Sequence, residues 1–237
     1  MDKEIQAIAA RLVRRLKEVK ATITVAESCT GGLLASTLTD IAGVSDWFNQ
    51  SWVCYSYESK INELDVEREL LEKKGAVNAT VAIQMADGAR KKSGADLAVS
   101  ITGIAGPAAQ NSNKPVGLVY VGIASAHWAN AESVQVGGNR HENKVSFVHF
   151  ALETAINCWD SAKIRVKDAI AQKEQMAAEA AVEHAKSEAE KARRAAAASA
   201  GAPWQDESWQ NPGKAVADDN AVEWDESKSP GPIWESE

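Results

Sequence analysis

Ala21-Thr22-Ile23-Thr24-Val25-Ala26, then Glu27-Ser28-Cys29-Thr30-Gly31-Gly32 and the apolar run Leu33 to Leu38, is the stretch on which the fold of this chain turns. The first six residues are rich in β-branched side chains and predict a short strand. A polar cluster and paired glycines end it, and the apolar residues resume at helical spacing. The unit is a strand, a glycine turn and a helix. The same order returns downstream. Val77 to Ser93 carries Val81, Met85 and Ala89 at helical steps, and Leu97-Ala98-Val99-Ser100-Ile101 follows as a buried strand. That strand runs into a second glycine turn, Thr102-Gly103-Ile104-Ala105-Gly106-Pro107.

Working outward, Ile5, Ile8, Leu12, Leu16 and Val19 recur at three- and four-residue steps among basic residues, one amphipathic helix. Trp52-Val53-Cys54-Tyr55 reads as a strand and Glu58 to Leu64 as a short helix. Val116 to Ala124 is the longest β-prone run, Ser133 to Val136 is a further candidate strand, and Asn143 to Trp159 is helical. Strands alternating with helices predict an α/β layered domain over residues 1–160. Across 161–200 the composition turns to Ala, Glu, Lys and Arg, and between Ala171 and Ala200 the only larger apolar residues are Met176 and Val182. A solvated helical stalk with no seam to bury is expected there.

The chain has 237 residues, 26 Lys plus Arg and 33 Asp plus Glu, for a net charge of −7. Residues 201–237 hold nine acids and two bases, so that segment alone accounts for the imbalance, 2 − 9 = −7. The rest of the chain is neutral, with no basic excess to attract a phosphate backbone, which argues against nucleic acid as a partner. The same acidic segment holds four of the six prolines and four of the eight tryptophans, and is expected to be disordered. Its Trp204 to Trp209 and Glu223 to Glu226 stretches read either as short anchors for a protein partner or as part of a solubilising tail. No apolar run reaches the roughly 18 residues needed to cross a bilayer, and no leader precedes the first helix, so a cytoplasmic protein is expected. Cys29, Cys54 and Cys158 show no paired spacing and are expected to be reduced thiols.

The two glycine turns place backbone N–H groups and hydroxyls at the carboxyl edge of a sheet, where α/β proteins bind anionic ligands. Neither carries a dinucleotide or P-loop fingerprint, and on glycine spacing alone two ordinary tight turns serve as well. Tyr55 and Lys60 converge only if the strand ends between them, with Ser56-Tyr57-Glu58 as the turn and Lys60 on the first turn of a helix. Ser45, in the loop Ala42 to Asp46, is either a nucleophile or a helix N-cap. Arg140, after Gly137-Gly138-Asn139, is a phosphate clamp or a solvated loop arginine. The histidines show no metal-ligand spacing, and neither metal nor cofactor is expected.

On these same residues the sequence resembles the CinA C-terminal family, the nicotinamide mononucleotide amidohydrolases also called PncC. Ala26 to Gly32 is similar to one family motif, Val99 to Pro107 to a second and Lys114-Pro115-Val116-Gly117 to a third. Tyr55 to Lys60 keeps the family's Tyr and Lys, and Ser45 lies ten residues before Tyr55 as the family's serine does. The resemblance runs from about Gln6 to Trp159. It implies a three-layer α/β/α sandwich, at least dimeric, that hydrolyses the carboxamide of nicotinamide mononucleotide. Ser45 would be the nucleophile, Lys60 its base and Tyr55 a proton relay, while Ser28, Cys29, Thr30, Gly31, Thr102, Gly103 and Arg140 would hold the nucleotide. The pyrophosphatase domain of the family's larger members is expected to be missing. Val44, Tyr57 and Asn139 depart from the family pattern, Asn139 at the residue expected to orient Arg140. The alternative is a non-catalytic nucleotide-binding or protein-interaction module of the same type.

A lysine serves as base only when neutral, and an unperturbed lysine lies about 3.4 pH units too high. A bias of about 4.6 kcal/mol against its charged form would make it half neutral at pH 7. Burial is able to supply a shift of that size.

Overall fold

The computed structural model describes residues 3–107 and 113–199, so the acidic tail lies outside the described residues. Helix α1 (Lys3–Glu18) leads into β1 (Ile23–Glu27), α2 (Leu33–Thr39), a 3-10 turn (Val44–Asp46) and β2 (Phe48–Val53). Three helices follow, α3 (Tyr57–Leu64), α4 (Arg68–Lys74) and α5 (Ala79–Ser93). The chain then forms β3 (Leu97–Gly103), β4 (Leu118–Ser125), β5 (Ala129–Gln135) and α6 (Arg140–Ser199). The strands lie in the order β2-β1-β3-β4-β5. The first three are parallel and the last two antiparallel, so the sheet is mixed. Sequence reasoning missed α4 and started β2 four residues late. It also divided into two segments what is one continuous helix, α6.

Every residue of β1 is buried, because both faces of the sheet are covered. The two faces differ in side-chain size. One presents Ile23, Val25, Leu97, Val99, Ile101, Val119, Val121 and Ile123 to α1, α2 and α6. The other presents Ala26, Ala98, Ser100, Gly122 and Ala124, and its small side chains let α5 lie close. Ser100 Oγ donates to Ala82 O at 2.6 Å across that contact. This is the three-layer α/β/α arrangement.

Gly122 marks the closest approach. A Cβ added there would stand 2.2 Å from Ala82 O. Gly122→Ala must therefore push α5 off the sheet, and is expected to cost on the order of 3 kcal/mol. An unchanged urea midpoint in that variant would contradict the packing.

The last buried residue of α6 is Cys158. Just past it, Arg15 on α1 holds Asp160 with two 2.8 Å hydrogen bonds, Nε to Oδ1 and Nη2 to Oδ2, and this bonding keeps the Asp160 carboxyl below its usual range. From 161 to 199 no side chain is buried. The chain divides into two compact units between Ala171 and Gln172. Among the described residues, no helix is long and apolar enough to cross a membrane.

Candidate active site

The last residue of β1, Glu27, pairs with Ile101, two residues before the end of β3, so both glycine turns leave the same edge of the sheet. The Ser28 N–H donates to Ile101 O at 3.1 Å and ties them together. Gly31 and Gly32 take φ of +65° and +93°, the left-handed conformations that turn the chain from β1 into α2.

Glu27, passed over in the sequence, decides what this turn is able to bind. Its fully buried carboxylate accepts the N–H groups of Gly32, Leu34 and Ala35 at 3.0, 3.2 and 2.8 Å. The amino end of α2 thus already holds an anion of the protein's own. Gly31 is exposed and Thr30 is buried, and neither faces the cavity described below. Of the residues expected to hold the nucleotide, Ser28, Cys29, Thr102, Gly103 and Arg140 do line it.

The loop after β2 supplies the third side. Ser56 caps α3 in a reciprocal box with Ser59, each hydroxyl accepting the other's backbone N–H. The helix therefore starts at once, and Lys60 falls in its first turn with its side chain fully buried. Lys60 Nζ lies 2.7 Å from Cys54 O, 3.3 Å from Tyr55 O and 3.3 Å from Ser28 Oγ. Burial pushes its pKa down to about 8, against the upward pull of Cys54 and Cys29. A neutral amine has two N–H groups and one lone pair. Protonated, Lys60 donates to the two carbonyls and to the serine hydroxyl; once neutral it keeps two N–H groups for the carbonyls and turns a lone pair to the serine O–H.

The cysteines do not compete for this role. Burial pushes the Cys29 thiol up to about 12 and raises that of Cys54, so both stay protonated near neutral pH.

Ser45 lies elsewhere. The Ile23 N–H donates to Trp47 O at the start of β1 and β2, whereas the Cys54 N–H donates to Glu27 O at their far end. Ser45 precedes the first contact and Lys60 follows the second, so the length of β2, about 20 Å at roughly 3.3 Å per residue, separates them. Ser45 is exposed inside the 3-10 turn, whose N-cap is Gly43. Within one chain it is neither a helix cap nor a partner of Lys60, which corrects the expectation drawn from its spacing to Tyr55. Counting residues to Tyr55 did not register the strand that lies between.

Tyr55 is also arranged differently from a relay to lysine. Its hydroxyl accepts from Arg140 Nη2 at 2.6 Å, and only its backbone carbonyl meets Lys60. Arg140 Nη1 donates to Gly106 O at 2.5 Å, so the arginine joins the end of β2 to the second glycine turn. Asn139 does not orient it. Asn139 Oδ1 caps α6 by accepting the His141 and Glu142 N–H groups, while its own N–H donates to Glu142 Oε2.

A cavity of about 870 Å³ opens onto Ser28 and Lys60. Among the described residues its wall carries Lys73, Lys74, Lys114 and Arg140 against one acid, Glu72, a balance that favours an anionic occupant. Lys114 Nζ donates to the carbonyls of Lys74 and Val77, and burial lowers its pKa. A second cavity of about 690 Å³, lined by Ile5, Leu33 and Val145 among others, lies between α1, α2 and α6 and contains neither Ser28 nor Lys60.

Residues 5–159 match the family described as the CinA C-terminal domain. The chain belongs to the CinA C-terminal domain family. The CinA fold accounts for the solved structures that resemble it. It is 36% identical to a competence/damage inducible protein, CihA, from Agrobacterium tumefaciens, with a TM-score of 0.64 over 66% of this chain and 96% of that one. A CinA superfamily protein from Klebsiella pneumoniae is 28% identical with the same TM-score of 0.64, over 66% of this chain and 98% of that one. Among curated relatives, a putative competence-damage inducible protein of Acetivibrio thermocellus is 44% identical over 140 residues, 59% of this chain and 33% of its own. A CinA-like protein of Syntrophomonas wolfei is 45% identical over 152 residues, 64% of this chain and 36% of its own. The matched region thus spans about a third of the length of these curated CinA relatives.

Proposed function

We propose that this chain hydrolyses the carboxamide of nicotinamide mononucleotide to nicotinate mononucleotide and ammonia, with Ser28 as nucleophile and Lys60 as its base. One observation carries the reading: a fully buried lysine with a pKa near 8 lies 3.3 Å from a serine hydroxyl at the floor of a cavity with a basic wall. Ser28 Oγ passes its proton to the Lys60 lone pair and attacks the carboxamide carbon. Lys60 then returns that proton to the departing nitrogen, which leaves as ammonia. Water, losing a proton to Lys60, releases the acyl group from Ser28 as the carboxylate, and the serine regains its hydrogen. Lys74, Lys114 and the N–H groups of Arg140 not used on Tyr55 and Gly106 are the candidates to hold the phosphate.

The test is ammonia release from nicotinamide mononucleotide by the purified protein, with nicotinate mononucleotide identified as the second product. Binding without ammonia release would leave a nucleotide-binding module instead.

The pH profile follows from the lysine. The base is the neutral amine, so kcat/KM is expected to fall about tenfold per pH unit below about 8 and to level off above it. A flat profile between pH 6 and 9 would remove Lys60 from the role.

Removal of residues 172–237 is expected to leave turnover within about threefold of full length, since among the described residues none that lines the cavity lies beyond Arg140. Assay of both chains side by side checks this.

A further inference from the structure

Tyr57, a departure from the family pattern, opens α3 and lines the cavity, and the chemistry of Ser28 and Lys60 makes no use of it. The box between Ser56 and Ser59 fixes where the helix starts, so Tyr57 is its first residue and Lys60 stands three positions on, along the same face. Helix side chains lean toward the amino end. Lys60 does so, with Nζ reaching back to the carbonyls of Cys54 and Tyr55. Lys60 is fully buried, whereas Tyr57 is 42% exposed, so the lysine lies at the floor of the cavity and the tyrosine at its mouth. The ring also reaches the opposite wall. A Cβ added at Gly75, between α4 and α5, would stand 3.6 Å from Tyr57 Oη.

The charge of the wall gives this ring its use. Among the described residues, Lys73, Lys74, Lys114 and Arg140 against Glu72 suit a phosphate and repel a cation. The nucleotide of the proposed reaction carries both, a phosphate and a positively charged pyridinium ring. Its ring needs a surface that attracts positive charge. Aromatic faces are such a surface, and among the described residues the aromatic side chains lining the cavity are Tyr55 and Tyr57. Tyr55 accepts from Arg140 at its hydroxyl, which brings a positive charge beside that ring. Tyr57 remains.

We propose that Tyr57 is the specificity-determining residue of the cavity: its ring stacks on a cationic heteroaromatic ring, disfavours an uncharged one, and leaves the carboxamide of the stacked ring over Ser28 and Lys60. The choice of ligand rests on the amidase reading, and the test separates the two.

Nicotinamide mononucleotide and its 1,4-dihydro form share phosphate, ribose and carboxamide, and differ in that the second has an uncharged ring. Both are titrated by calorimetry into the full chain carrying Ser28→Ala, in which the amide stays intact. The charged form is expected to bind about tenfold more tightly. Adding Tyr57→Leu is expected to weaken the charged form about tenfold, to leave the dihydro form within about threefold, and so to erase the preference. Tyr57→Phe keeps the aromatic face and is expected to keep the preference. An equal affinity for both forms in the parent chain, a preference that survives Tyr57→Leu, an equal loss of both ligands, or a preference lost in Tyr57→Phe each overturns the assignment. Any of these leaves nucleotide binding, and with it the amidase reading, in place. If neither form binds, both fall.

Discussion

Lys60→Met is expected to slow amide hydrolysis by at least about 10³-fold while changing unfolding free energy at pH 7 by no more than about 2 kcal/mol. The loss of rate follows from removing the acceptor 3.3 Å from Ser28 Oγ. The modest stability change comes from two opposing effects. A pKa depressed from 10.5 to about 8 means that the folded state disfavours the charged amine by about 3 kcal/mol wherever it is protonated. That penalty is present in full below about pH 8, and it disappears as pH rises through 10.5, where the unfolded chain also loses its proton. Methionine removes it. In exchange the carbonyls of Cys54 and Tyr55 lose a donor, at about 1–3 kcal/mol for a buried one and less where water reaches it. Wild-type stability should therefore gain from Lys60 between pH 8 and 10.5, and the variant should lack that gain. Denaturation across this range, set beside ammonia release, checks both halves. A rate within tenfold of wild type would end the base assignment.

The parts of this site visible in the sequence are those set by local chemistry. Strand β1, its glycine turn and α2 are contiguous, so side-chain type and two glycines suffice to read them. The turn at Ser56 was legible because Ser56 and Ser59 are the local means of ending a strand and starting a helix there, and it brings Lys60 to the Tyr55 carbonyl and not to the Tyr55 hydroxyl. The periodicity of β3 and α5 was legible because both are buried on the faces that carry their apolar residues.

Nonlocal features were not legible. Nothing in Glu27 itself distinguishes a substrate-facing carboxylate from one folded back on three N–H groups of the next helix. Ser45 is close to Tyr55 in number and far from it in space, because β2 runs between them fully extended. The direction of β4 against β3 depends on where the chain passes after Pro107, and strand composition is silent on it. The partner of Arg140 is 85 residues away on Tyr55, a pairing that only the folded sheet edge makes.

Ser28→Ala is expected to lower kcat by at least about 10³-fold with the fold intact, and Ser45→Ala to leave kcat and KM within about threefold. The two serines separate because they meet different groups. Ser28 is buried, shares its hydroxyl with Lys60 and sits at the junction of both glycine turns, so its loss removes the one hydroxyl that the lysine contacts among the described residues. Fold loss is not expected, because the Ser28 backbone makes the bond to Ile101 and alanine keeps it. Ser45 is exposed and lies at the other end of β2 from Lys60, so its loss removes no group at the cavity. Cys29→Ala is the control for a thiol nucleophile. With its thiol pushed up to about 12, its replacement should leave kcat within about threefold. Steady-state kinetics of the three variants on nicotinamide mononucleotide distinguish the cases. If Ser45→Ala abolishes turnover while Ser28→Ala retains it, the assignment of the nucleophile to Ser28 is overturned.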